Sequence, residues 1–144
     1  MNEKANEAVK MFRDGYVCSQ AVFAAYSEEL GLEKSLALKI GNGFGGGIAR
    51  KQEICGAVSG AVMLIGLKYG KADPQNSIAH EKTYEMVNLF CEKFIERNHS
   101  IDCHELLGCD MATAKEKGLF STLCKKYVAD SAEIIGEILE DPEV

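Results

Sequence analysis

The sequence predicts an all-α, single-domain helical bundle over residues 1–144, with about five main helices plus short ones. Three observations predict it. Apolar residues recur at helical spacing almost throughout the chain. No segment shows sustained strand-like alternation with turn signals on both sides. The chain is 47% hydrophobic and 26% charged, and its length fits the roughly 100–150 residues usual for one compact domain.

A first helix over about 3–14 places Ala5, Ala8, Val9 and Phe12 on one face, and Asp14-Gly15 ends it. A second, over about 17–30, runs from Val17 to Leu30 with Gly31 as its stop. A short third helix, about 33–41, is expected to bury Leu36 and Ile40. Gly41 to Gly47 then holds five glycines in seven residues. At a cost of about 1 kcal/mol per glycine relative to alanine, that stretch is predicted as a loop. The next helix, about 52–69, has no charged residue between Glu53 and Lys68, which places it at the centre of the bundle. Asp73-Pro74 marks a turn within Gly70 to Asn76. The long helix from about Ser77 to Arg97 presents Tyr84, Val87, Cys91 and Phe94 at helical intervals. Short helices are expected near 102–107 and 110–117, separated by Gly108-Cys109, and a last helix over about 120–140 is expected to bury Val128, Ile135, Ile138 and Leu139.

Composition excludes several function classes. Lys+Arg 16 against Asp+Glu 22 gives a net charge of -6, so no basic face for nucleic acid is advertised. The apolar fraction is too high for a disordered chain. Met1-Asn2-Glu3-Lys4-Ala5-Asn6-Glu7 lacks the basic start and apolar core of a secretory signal. The longest nearly apolar run, Ile54 to Leu67, has fourteen residues, short of the about 20 that span a membrane. A cytoplasmic location is expected, with neither nucleic acid nor membrane as partner. Alanine- and glycine-rich helix faces are compatible with a homodimer.

The chain has six cysteines. Disulfide frameworks belong mainly to secreted domains under about 80 residues, which cannot build a sufficient core. In a larger cytosolic domain, thiols point to redox or metal chemistry, set against inert packing as small hydrophobes. Four of the six, Cys18, Cys55, Cys103 and Cys124, fall in or near the first turn of a predicted helix. Cys18 follows the Asp14-Gly15 break and Cys55 follows the glycine stretch. Cys103 follows Asp102, which with Glu105 makes a D-x-x-E capping box, and Cys124 follows Ser121, a candidate N-cap. Helix N-termini carry unpaired N–H groups and a partial positive charge, so they favour the thiolate, the form that reacts or binds metal.

That effect is bounded. A helix terminus contributes about 0.3–1 kcal/mol against about 1.36 kcal/mol per pKa unit, so the dipole alone lowers a thiol by about a unit. Stronger activation needs a cation, and Arg50, Lys51, His104, Lys125 and Lys126 are the sequence neighbours available. Cys91, mid-helix on an apolar stripe, reads as core, and Cys109, in a turn, as incidental. There is no C-x-x-C, so any site must be assembled by tertiary packing. The glycine stretch does not match G-x-x-x-x-G-K-[ST] and lacks the strand that precedes a dinucleotide fingerprint. His99 and His104 flank Cys103 and read first as surface residues.

Cys55-Gly56-Ala57-Val58-Ser59-Gly60 forms a C-G-A-x-x-G string. Before it stand Cys18 with Gln20-Ala21-Val22, and Phe44-Gly45-Gly46-Gly47-Ile48; after it come Cys103-His104-Glu105-Leu106-Leu107-Gly108 and Cys124. In this combination the chain resembles the C_GCAxxG_C_C family of redox-active proteins over nearly its whole length, although the family label writes the glycine and cysteine of the motif in the other order. The resemblance implies a redox function and four characteristic cysteines, carried onto Cys18, Cys55, Cys103 and Cys124; Cys91 and Cys109 are not carried over. Gly56, Ala57, Gly60 and Ala61 also clear one helix face for close packing.

Three functions compete. The preferred one is a thiol oxidoreductase in which two of the four cysteines cycle between dithiol and disulfide with an unspecified redox partner. The second uses the same four sulfurs to hold zinc or an iron–sulfur cluster. The third is a non-catalytic helical interaction module whose cysteines are core. The preferred reading expects Cys18, Cys55 and at least one of Cys103 and Cys124 to converge in a single pocket.

Overall fold

A computed structural model describes residues 2–140, so both ends of the expected 1–144 domain lie outside the described residues. The fold is all-α: α1 (Glu3–Arg13), α2 (Cys18–Ser27), α3 (Lys34–Gly41), a single turn α4 (Gly45–Ile48), α5 (Gly56–Tyr69), α6 (Ser77–Asn98), α7 (Cys103–Leu107), α8 (Met111–Glu116) and α9 (Leu123–Glu140). Side chains start several of them. Asn2 Oδ1 accepts the Ala5 N–H (2.7 Å), Asn76 Oδ1 that of Ala79 (3.0 Å) and Asp110 Oδ1 that of Thr113 (2.8 Å), each satisfying an otherwise orphaned donor. Among the described residues no helix is long and apolar enough to cross a membrane.

The apolar helix α5 lies at the centre, packed against α2, α6 and α9, with Ala57, Ala61, Leu64 and Ile65 fully buried. Its glycines let α2 approach: a Cβ on Gly60 would stand 2.9 Å from the Ser19 carbonyl oxygen and 3.3 Å from the Phe23 nitrogen. Buried serines tie the layers together. Ser131 Oγ donates to the Ala57 carbonyl (2.7 Å), joining α9 to α5, and Ser19 Oγ donates to the Gly41 carbonyl (2.6 Å), joining α2 to α3. The main core includes Val22, Val58, Phe90, Phe94, Ile134 and Ile135. A second, smaller apolar cluster, formed by Cys103, Leu107 and Ala114 with Cys109, Met111, Leu119, Phe120 and Cys124, lies under the short helices α7 and α8.

Several local expectations are corrected. Leu36 and Ile40 are 47% and 45% exposed, because α3 rests on α2 through the small residues Ala37 and Gly41. Tyr84 is 58% exposed; the buried stripe of α6 is Met86, Phe90, Phe94 and Asn98, a regular i, i+4 row. Only half of the Asp102 capping box forms: Asp102 Oδ1 accepts the Glu105 N–H (3.1 Å), while Glu105 takes the Ser100 hydroxyl instead. Ser121 caps nothing; it sits in a 3-10 turn and donates to the Gly118 carbonyl.

The glycine stretch is more ordered than a loop. After a 3-10 turn over Asn42–Phe44, Gly46, Gly47, Ile48, Ala49 and Arg50 all have φ between 48° and 69°, and Gln52 has φ 57°. This is a left-handed turn, which costs L-residues roughly 1–2 kcal/mol each. Glycine relieves two of its positions; Ile48, Ala49 and Arg50 are held there. The Ala49, Gln52 and Glu53 N–H groups donate to the carbonyls of Gly43, Gly46 and Gly47 at 3.0–3.1 Å, closing the strap.

Candidate functional site

Beyond the strap, the chain pairs briefly with the segment leading into α7. Ile54 and Asp102 form an isolated antiparallel bridge, flanked by Cys55 N–H donating to the Ile101 carbonyl (2.8 Å) and Cys103 N–H donating to the Glu53 carbonyl (2.7 Å). Cys55 and Cys103 are thus placed on either side of one bridge. Cys55 is the N-cap of α5, Cys103 the first residue of α7, Cys18 the first residue of α2 and Cys124 the second residue of α9. The start of α2 is pinned by Gln20, whose Oε1 accepts the Val17 N–H (3.0 Å) while its amide donates to the Leu38 carbonyl (2.9 Å).

All four of these cysteines line one cavity of about 910 Å³, at the seam between the main core and the smaller cluster. Cys91 packs against the main core, and Cys109 lies in the smaller cluster with its carbonyl accepting the Gln52 amide (2.8 Å); neither lines the cavity. His99 and His104 are outside it as well. Gly56 explains the C-G dipeptide. A Cβ there would fall on the Cys18 sulfur, 3.0 Å from the Phe44 carbonyl oxygen and 3.2 Å from the Ser19 nitrogen. The glycine next to Cys55 is therefore the seat of the Cys18 sulfur. Gly47 similarly makes room for Cys103, whose Cβ would stand 2.9 Å from a Cβ there.

Backbone N–H groups of Gly46, Ser19 and Gly56, with that of Cys18 itself, point at the Cys18 sulfur and favour its thiolate. Burial works the other way and is the larger influence. It raises Cys18 above the ordinary thiol value and raises Cys55 well above it, with the charge of Cys18 as a further cause at Cys55. Burial and then the charge of Cys18 push Cys103 up to about 11 and Cys124 up to about 12. The expectation of thiolates favoured by helix starts is thus corrected: desolvation outweighs the roughly 1 kcal/mol that a helix terminus supplies. Charge on Cys18 is among the causes at each of the other three, which links the four thiols electrostatically.

Of the cations adjacent in sequence, only Arg50 reaches the cavity wall; Lys126 donates instead to Asn98 and Asp130. Lys115 and the aromatic residues Phe12, Tyr16, Phe120 and Tyr127 also line the cavity. Sequence reasoning missed these. Tyr16 carries a weak signal, lying between the Gly15 break and Cys18, and Lys115 carries none. Among the described residues no group of three His, Cys, Asp or Glu is arranged to hold a metal ion.

A family model described as "Putative redox-active protein (C_GCAxxG_C_C)" matches residues 16–138, a span that contains all four cavity cysteines. No curated protein and no solved structure matches the chain.

Proposed function

From the premise that the chain belongs to the C_GCAxxG_C_C family, we propose that it is a cytoplasmic thiol oxidoreductase in which Cys18 and Cys55 cycle between dithiol and disulfide. The carrying observation is the Cys18 sulfur seated on Gly56, the residue that follows Cys55, in a cavity that all four cysteines line. Cys18 is the attacking thiol because it is the less buried of the two and stands at the start of α2, where backbone N–H groups favour its charge. Its thiolate attacks one sulfur of a disulfide substrate, forming a mixed disulfide and releasing the other sulfur as a thiol. Cys55 then attacks the Cys18 sulfur, the second substrate thiol leaves, and the Cys18–Cys55 bond forms. Two electrons and two protons pass to the substrate. A raised pKa leaves little thiolate at neutral pH, and the higher nucleophilicity of each thiolate offsets about half of that loss on a logarithmic scale. Cys103 and Cys124 line the same cavity and are close enough to be affected by charge on Cys18.

The test is mild oxidation of the reduced protein with diamide followed by disulfide mapping. A Cys18–Cys55 bond, reversed by dithiothreitol and absent in Cys18→Ser, is the expected result. Six thiols that never pair under any oxidant would sink the reading.

A further inference from the structure

The cavity has the size of pockets that hold drug-sized organic molecules, about 300–1,000 Å³. Its walls are largely apolar and aromatic, with Phe12, Tyr16, Leu106, Met111, Phe120 and Tyr127 around the thiols. Its charged lining is one-sided. In a chain with 22 acidic and 16 basic residues, Arg50 and Lys115 line the cavity and no Asp or Glu does, among the described residues. Both cations are exposed, and neither takes part in an ion pair among the described residues. Arg50 belongs to the left-handed strap, at φ 69°, and its side chain folds back over Gly46 next to Met111: their Cγ and Cε atoms lie 3.2 and 3.4 Å from where a Gly46 Cβ would be. Backbone held in a sparsely populated region is often found at ligand clamps, and here it carries a cation to the cavity wall.

We propose that this cavity binds a small organic carboxylate with an aromatic body, the body among the aromatic side chains and the carboxylate at Arg50 and Lys115. Resting on the thiol-exchange reading, the substrate class is then a small disulfide bearing a carboxylate rather than a disulfide on a folded protein. Cys55 is only 6% exposed and Cys18 is partly buried, and both line this cavity, so the thiol pair is reached through it. In the balanced step, R–S–S–R takes two electrons and two protons from Cys18 and Cys55 and leaves as two R–SH, while one protein S–S bond forms.

Binding separates this proposal from redox cycling, because it needs no electron transfer. Reduced protein is titrated calorimetrically with naphthalene-2-carboxylate and with the neutral naphthalene-2-carboxamide, in wild type and in the Arg50→Gln/Lys115→Gln double variant. The expected result is carboxylate binding that weakens about five- to tenfold in the double variant, the scale of two exposed charge contacts, while binding of the amide is unchanged. Bound carboxylate is also expected to slow alkylation of the cavity thiols by iodoacetamide. Three outcomes overturn the proposal: neither compound binds, the double substitution leaves carboxylate affinity unchanged, or a folded protein disulfide oxidises the wild-type thiols faster than a carboxylate-bearing aryl disulfide does. Failure of the redox reading is read separately, in the absence of the Cys18–Cys55 bond.

Discussion

At Gly56 the space that a methyl group would need is already taken by the Cys18 sulfur, with the Phe44 carbonyl and the Ser19 nitrogen close behind. Backbone on both sides leaves no route for relaxation other than moving the thiol. Gly56→Ala is therefore expected to lower stability by about 1–3 kcal/mol, as overpacking of a filled core does, and to displace Cys18 so that the Cys18–Cys55 disulfide forms more slowly. Urea denaturation and the rate of diamide-induced pairing check the two halves; an unchanged pairing rate would show that the sulfur is not seated there. The C-G-A-x-x-G string was visible in the sequence, and so was the clearing of a helix face by Gly60, Ala57 and Ala61. That Gly56 serves a sulfur from a different helix was not visible, because the contact joins residues 18 and 56 across a packed interface that no local pattern encodes.

Among the elements, α2 shows how a helix start is made into a site. Val17 has no capping side chain, and Gln20 substitutes for one by accepting the Val17 N–H and bonding to the end of α3 through its amide. Gln20 is a positioning residue for Cys18. Gln20→Ala is expected to cost about 1–2 kcal/mol, from the lost cap and the carbonyl left unpaired. It is also expected to change the rate and pH profile of Cys18 alkylation, whereas a purely structural role would lower stability and leave that profile in place. Gln20→Glu keeps the acceptor and should restore the cap in part. The strap is the opposite case. Its glycines announced irregular backbone, and a loop was the reasonable expectation at about 1 kcal/mol per glycine. The left-handed turn through Ile48, Ala49 and Arg50 follows from hydrogen bonds back to Gly43, Gly46 and Gly47 and from the bridge between Ile54 and Asp102, whose two segments are far apart in sequence.

For the molecule as a whole, the thiols are held at the seam of two apolar clusters, and their burial has a thermodynamic consequence. The unfolded chain releases these protons near the ordinary value of 9.0, while the folded chain retains those of Cys103 to about 11 and Cys124 to about 12. Between those values the folded state binds more protons, so stability falls as pH rises. Reduced protein is expected to lose stability progressively above about pH 9, and a Cys103→Ser/Cys124→Ser variant to lose less. Urea midpoints measured from pH 7 to 10.5 check this, and a midpoint indifferent to pH in the wild type would contradict the burial of the thiols. The sequence by itself determined the all-α bundle, the central place of the apolar helix, the helix-start position of four cysteines and the family. Those are local properties, set by periodicity, capping residues and glycine placement within a few turns of chain. Only the tertiary structure decided that the four thiols share a cavity, that Arg50 and Lys115 give it a positive wall, and that burial raises the thiols above their ordinary value. Desolvation depends on everything packed around a sulfur, and it exceeds what a single helix end contributes.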